Sequence, residues 1–178
     1  QKLWNWLKSI GETFDMTLKV YVAARSAEMG RASICINAVR SAGAEITFNW
    51  VERIKANRKQ YPKGTPVRQQ RVNAKLDVAA VLACDIFWLL HPRQERYHHQ
   101  PTPAEETTPG CWVEYGIKIA QIQGPFLVHP KRMVPKIWFS GPVNKHNVFW
   151  PYADKLFESD LKALLAIRRL VKKTTTRR

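Results

Sequence analysis

The sequence predicts an α/β domain in which helices cover both faces of a parallel sheet. Short runs rich in β-branched and aromatic residues alternate with longer stretches of helical periodicity, the pattern of repeated strand–helix units. One run, Ile86-Phe87-Trp88-Leu89-Leu90, is apolar without alternation, as in a strand covered on both faces. Gly43, Pro62, Gly64 and Pro66 fall between the periodic stretches, where turns are needed.

The elements follow in order. Residues 1–16 carry Trp4, Trp6, Leu7 and Ile10 with Lys2 and Lys8 between them. They read as a short amphipathic helix added before the domain, either a flap on its own domain or a docking helix. Leu18 to Ala24 reads as the first buried strand. Residues 27–42 form a helix with Met29, Ile34, Ile36 and Val39 inward and Gly43 as its stop. Glu45 to Trp50 is the second strand. Residues 52–67 are basic and hold two prolines and a glycine, so they read as largely loop. A helix over 68–82 leads to the third strand, Asp85 to Leu90.

Residues 91–109 hold four prolines and three histidines and read as a long loop. A helix over 112–123 follows. Phe126-Leu127-Val128 and Ile137-Trp138-Phe139 read as two more short strands. The last helix spans 153–173, with Leu156, Phe157, Leu161, Leu164, Leu165 and Ile167 on its apolar face. Five strands in this succession predict a flavodoxin-like doubly wound sheet, order 2-1-3-4-5, with its cleft at the carboxyl ends of strands one and three. The domain is expected over 17–167, between the N-terminal extension 1–16 and a basic tail 168–178.

Composition narrows the function. With 178 residues and 45% apolar content the chain suits one globular domain with extensions. No apolar stretch is long enough to cross a bilayer, so no membrane partner is expected. Cys35, Cys84 and Cys111 lack metal-ligand spacing, and the first two sit in apolar segments as buried thiols in a reducing compartment. His91, His98 and His99 lack a supporting Cys or a Glu-x-x-His helix, so neither metal nor other cofactor is expected. Gln1 is not an initiator Met, so the chain reads as processed or as lacking its beginning.

Charge points elsewhere. Lys and Arg number 29 against 14 acids, a formal net charge of +15. Such an excess attracts polyanions, nucleic acid above all, although a basic face can also be merely solvated. Arg168, Arg169, Lys172, Lys173, Arg177 and Arg178 form one basic run and are the expected RNA-binding residues. Arg53 to Arg71 is a second, and Lys131, Arg132 and Lys136 are a third. With no stacking platform or helix-turn-helix in view, backbone binding is the expected mode.

The candidate chemistry lies in Gly110-Cys111-Trp112-Val113-Glu114-Tyr115-Gly116. Here Glu114 is expected in the first turn of a helix, beyond the carboxyl end of a buried strand. A second acid nearby, Asp77 or Asp85, makes a sugar-cleaving site conceivable, since N-glycoside cleavage needs one carboxylate for the sugar cation and an acid for the leaving base. Each residue has a plainer reading. Glu114 complements a helix dipole, Asp77 faces solvent, Asp85 caps a turn, Tyr21 is core and Arg25 is one more surface cation.

Five segments in order resemble the nucleoside 2-deoxyribosyltransferase family, particularly its small stand-alone members. They are Tyr21-Val22-Ala23-Ala24-Arg25-Ser26, Ile46 to Trp50, Asp77 to Asp85, Gly110 to Gly116 with Ile117-Lys118-Ile119-Ala120 after it, and Asn147-Val148-Phe149-Trp150. The resemblance covers roughly residues 17–157. It implies that Glu114 attacks the anomeric carbon of a deoxynucleoside, that Asp77 assists departure of the base, and that Tyr21 orients the nucleophile. Arg25, Asp85 and Trp50 take substrate-binding or supporting positions. Trp112 stands where such members often carry a smaller or polar residue, and its bulk is expected near the pocket.

Two functions follow. In the first, the chain is a basic, RNA-associated structural subunit of a large ribonucleoprotein, such as a mitochondrial ribosome, touching RNA and neighbouring proteins in the mitochondrial matrix. In the second, it is an active nucleoside 2-deoxyribosyltransferase or nucleoside/nucleotide N-glycosidase, cytoplasmic and homo-oligomeric, with a deoxynucleoside substrate. Charge favours the first, while Glu114, Asp77 and Tyr21 favour the second.

Overall fold

The computed structural model describes residues 17–90, 110–123, 135–141 and 152–175. Five parallel strands form one sheet in the order β2-β1-β3-β4-β5. They are β1 (Lys19–Ala23), β2 (Glu45–Ile46), β3 (Ile86–Leu90), β4 (Lys136–Ser140) and β5 (Lys155–Phe157). The helices are α1 (Met29–Ser41, after a 3₁₀ turn at Ser26–Glu28), α2 (Trp50–Gln60), α3 (Val67–Ala83), α4 (Gly110–Gln123) and α5 (Asp160–Thr175). This is the doubly wound, flavodoxin-like arrangement that the strand–helix alternation predicts.

The strand identities differ from expectation at the far edge. Residues 137–139, expected as the fifth strand, lie in the fourth. The fifth is Lys155–Phe157, a segment expected as the start of the last helix. That helix begins only at Asp160. Phe126 to Val128, the expected fourth strand, lies outside the described residues, as do residues 1–16, the loop 91–109 with its histidines, Lys131, Arg132, the Asn147–Trp150 segment, Arg177 and Arg178.

Two further corrections concern the region after β1. The second strand ends at Ile46, and the stretch expected as loop is the helix α2. Asn49 caps it, its side chain accepting from the Glu52 amide at 3.2 Å. Glu52 lies in its first turn, and Arg58 and Lys59 in its last, which complements the helix dipole. The prolines and Gly64 act only on the short connection before α3, where Gly64 takes a positive φ of 118°.

β1 and β3 are buried almost throughout, as their apolar runs require. Tyr21 stacks on its cross-strand partner Phe87 at 5.8 Å, and Tyr115 of α4 packs against both Phe87 and Phe139. Trp88 and Trp138 pair across β3 and β4, with Trp138 against Phe157 at 5.0 Å. Ile36, Val39, Ala163 and Ile167 complete the core from α1 and α5. The inward faces differ from expectation at Ile34, Leu156, Leu161 and Leu165, which are exposed. With α5 starting at Asp160, Ala163 lies inward beside Ile167, which is buried as expected. α5 runs through the expected tail boundary at 167, with Leu170 and Val171 packed on the core and the charged Arg168, Arg169, Lys172 and Lys173 exposed.

Two polar clusters tie helices to this frame. Lys118 is fully buried on α4, and its ammonium donates to Val81 O, Cys84 O and Gln121 Oε1 at 3.0, 2.7 and 2.8 Å. All three donors are used, which is what lets a lysine sit inside and lock α4 to the end of α3. Elsewhere Arg31 of α1 reaches Asp160 through Nε and Nη2 at 2.7 and 2.8 Å, and Glu28 through Nη1 at 2.8 Å. Ser140, at the end of β4, accepts from the Trp88 indole at 2.9 Å and donates to Asp160. All three cysteines are buried free thiols, as expected for Cys35 and Cys84.

Candidate active site

β1, α3 and α4 bring together Tyr21, Asp77 and Glu114, residues 56 and 93 positions apart in the chain. The Tyr21 hydroxyl lies 2.9 Å from Glu114 Oε1 and 3.1 Å from Asp77 Oδ1. The local reasons are simple. Tyr21 belongs to a strand whose side chains are held by Phe87 on one side and the core on the other. Asp77 is on the inner half of α3, and Glu114 is the fifth residue of α4. Glu114 therefore starts the second turn rather than lying in the first, so the helix dipole has little hold on it.

Burial decides the electrostatics. It pushes Glu114 up to about 7, with the bond from Tyr21 opposing and the charge of Asp77 adding. It also raises Asp77, again opposed by the Tyr21 bond. Tyr21 itself is raised well above the usual phenol range, by burial first and by the two carboxylates next, so it stays a phenol. The plainer reading of Glu114 as a complement to a helix dipole thus gives way, since loss of water outweighs the dipole.

The geometry centres the trio on the Tyr21 hydroxyl, which has one proton to donate and a carboxyl oxygen within reach on either side. Two carboxyls that share one hydrogen-bonding oxygen are close enough to flank a single bond, as double-displacement glycoside chemistry requires.

Beside Asp77 a cleft of about 420 Å³ opens between α2 and α3. Ile54, Asn57, Arg58, Gln70 and Asn73 line it along with Asp77. The sequence reading passed over its amides, yet Gln70, Asn73 and Asp77 follow at i, i+3 and i+7 on one helix face, a polar stripe that spacing alone could reveal. Gln70 donates to Thr65 O at 2.7 Å, and Asn73 accepts from Gln69 at 3.1 Å.

The other expected site residues are placed as follows. Arg25 follows β1 directly, at the start of the 3₁₀ turn, and its charge reaches Cys111 at the start of α4. Burial foremost, then the Glu114 charge, pushes the Cys111 thiol up to about 12, so it is a neutral filler and no nucleophile. Trp50 is buried at the start of α2, and its indole donates to Val22 O at 2.8 Å. Asp85 is buried at the amino end of β3 and accepts from the Lys19 amide at 2.8 Å. That position is the end of the sheet opposite the cleft expected for a doubly wound fold. Trp112 packs on Tyr115 and Phe139, at 6.0 and 6.4 Å between ring centroids, and does not line the cleft. Among the described residues no group of three His, Cys, Asp or Glu could hold a metal ion, and no helix is long and apolar enough to cross a membrane.

Fold and site together define a doubly wound α/β protein of flavodoxin-like strand order with a half-buried acid pair, of which Asp77 lines the cleft between α2 and α3 and Glu114 does not. No protein-family model matches the chain, and no curated protein matches it. Among solved structures the chain is similar to the CMP N-glycosidase BcmB of Clostridium botulinum, at 16% identity and a TM-score of 0.43, over 84% of this chain and 97% of that one.

Proposed function

We propose that this chain breaks the N-glycosidic bond of a nucleoside or nucleotide, by hydrolysis or by exchange of the base, with Glu114 as nucleophile and Asp77 as acid. The observation that carries this is the single phenol of Tyr21 between two half-buried carboxyls. With one carboxyl ionised and the other protonated, such a trio offers the charge and the proton that the reaction uses. The sequence resemblance to nucleoside 2-deoxyribosyltransferases assigns the same three residues the same roles.

In the mechanism this supports, a Glu114 oxygen bonds to the anomeric carbon as the bond to the base breaks. The electron pair goes to the ring nitrogen, which takes the proton of Asp77. Tyr21 holds Glu114 in line and passes charge between the carboxyls as they exchange states. Water or a second base then displaces Glu114. The test is base release and exchange. Purified protein is mixed with deoxyinosine and free adenine, and hypoxanthine and deoxyadenosine are followed beside a Glu114→Ala control. Turnover that depends on Glu114 supports the proposal, and turnover indifferent to it removes the assigned nucleophile.

A second reading rests on the charge of +15. It makes the chain an RNA-associated subunit of a ribonucleoprotein that keeps its acids as inheritance. Salt-sensitive RNA binding without any base release would favour it.

A further inference from the structure

α5 keeps its apolar and charged sides apart. Ala163 and Ile167 are buried, and Leu164, Leu170 and Val171 pack on the core beside them. Lys162, Arg168, Arg169, Lys172 and Lys173 are exposed, and helical spacing sets all five within less than half of the circumference. Glu158 ion-pairs with Lys162 at one end of this face, and Asp160 is taken up by Arg31. From Leu161 to Arg178 there are seven Lys or Arg and no Asp or Glu. No other six-residue stretch of the chain matches 168–173, which holds four cations.

The face is also remote from the acid pair. Side chains alternate across a sheet. Tyr21, Phe87 and Phe139 point to the side of α3 and α4, where Tyr21 meets Asp77 and Glu114. Trp88 and Ser140 point to the other side, where Ser140 bonds Asp160 of α5. The sheet therefore lies between the cations of α5 and the carboxyls, and whatever α5 holds need not be the substrate of that site.

The chemistry of the face selects its partner. A bilayer takes up a helix by its apolar side, and that side of α5 is already packed on the core, with Leu161 and Leu165 alone of its large apolar residues exposed. Protein interfaces centre on apolar and aromatic side chains and are depleted in Lys, whereas this face is mostly Lys and Arg. Phosphates in series suit it. From Lys162 to Lys173 the helix is about 16 Å long, which spans roughly five phosphates of one duplex strand. Arg168 and Arg169 offer planar guanidinium forks, the group that grips phosphate oxygens in pairs. No aromatic residue, Asn or Gln follows Leu161 in the sequence, so nothing there stacks on an unpaired base or reads a base edge by a side-chain amide. We infer that the outer face of α5 is a docking surface for the phosphate backbone of double-stranded nucleic acid, independent of base sequence and of the acid site. It supplies the contact surface that the ribonucleoprotein reading requires, and it holds equally beside the N-glycosidic one.

Fluorescence anisotropy with a labelled duplex of about 20 base pairs tests it. Wild type is compared with Arg168→Gln/Arg169→Gln/Lys172→Gln/Lys173→Gln and with Lys59→Gln/Lys63→Gln/Arg68→Gln/Arg71→Gln, which removes the same charge from exposed positions of α2, α3 and the turn between them. Thermal melting checks that each folds. For four phosphate contacts the wild-type Kd rises by roughly 100-fold between 50 and 200 mM salt. The α5 variant is expected to raise Kd by at least about tenfold and to flatten the salt dependence, and the other variant to change Kd by less than about threefold. Base release from a nucleoside is expected to be equal in wild type and the α5 variant. Equal losses of affinity in the two variants would overturn the inference, since diffuse charge would then suffice. So would tighter binding to the matching single strand, to phosphatidylserine vesicles or to polyglutamate than to the duplex. Absence of duplex binding beside Glu114-dependent base release would overturn this inference alone and leave the N-glycosidic reading standing. Duplex binding lost in the α5 variant, with no base released from any substrate, would uphold it and remove the N-glycosidic reading.

Discussion

Two carboxyl pairs sit inside this molecule, and a different group stands between each. Glu28 and Asp160 are bridged by the guanidinium of Arg31. Asp77 and Glu114 are bridged by the phenol of Tyr21. Burial alone would lower the pKa of Arg31, but its bonds to Asp160 and Glu28 carry it above the ordinary value, so the guanidinium keeps its charge and ties α1 to α5 and β4. A phenol brings no charge. The second pair is therefore left with burial as its dominant influence, and both carboxyls are pushed up, Glu114 to about 7. The same two acid types make a strut when a cation separates them and, in the proposed function, a proton-transfer site when a neutral donor does.

The comparison can be broken at either pair. The largest effect is expected at Glu114. Glu114→Ala lowers kcat/KM for base release by at least about a thousandfold, with Asp77→Asn losing roughly a hundredfold or more, both read by product chromatography. Arg31→Ala does the converse. It leaves two half-buried carboxyls without their cation and costs roughly 1–3 kcal/mol of stability in a denaturant titration, while kcat per folded molecule holds. If Arg31→Ala lost activity without losing stability, the division into strut and site would be wrong.

Tyr21→Phe sharpens the account of the relay. It lowers kcat/KM by roughly 10- to 100-fold, and because the phenol bond pulls Glu114 down, its removal moves the rate limb near pH 7 upward. The smallest effect concerns pH and stability. The folded-state pKa of Glu114 lies above its ordinary 4.5, so its contribution is fully present below about 4.5 and is lost as pH rises through about 7. Glu114→Gln is accordingly more stable than wild type at pH 8, by about 1–3 kcal/mol, and the gain shrinks to nothing by pH 4.5. Melting curves across that range check the sign.

The sequence carried the middle of the fold and lost its margins, for physical reasons. β1 and β3 are apolar runs that admit one reading, and they set the strand order. α2 was hidden because Pro62, Gly64 and Pro66 suggest loop, while the Asn49 cap that starts it is one polar residue among many. β5 was hidden because Leu156 and Phe157 fit a helical stripe as well as a strand, and only pairing with β4 separates the two. Tyr21, Asp77 and Glu114 were legible through family resemblance and invisible to spacing, since three elements must pack before they meet. The Arg31–Asp160 pair spans 129 positions and left no local signal. The raised pKa of Glu114 was hidden for the same reason. A helix start is visible in sequence, whereas the loss of water around Glu114 belongs to the packed molecule.

The most direct test of the central claim is the rate of base release from a reactive substrate between pH 5 and 9, in wild type and in Glu114→Gln. The account predicts a wild-type profile with an ionisation near 7, and a Gln variant whose release is lost at every pH. Equal release by the two proteins, or a wild-type rate with no ionisation in that range, would contradict it.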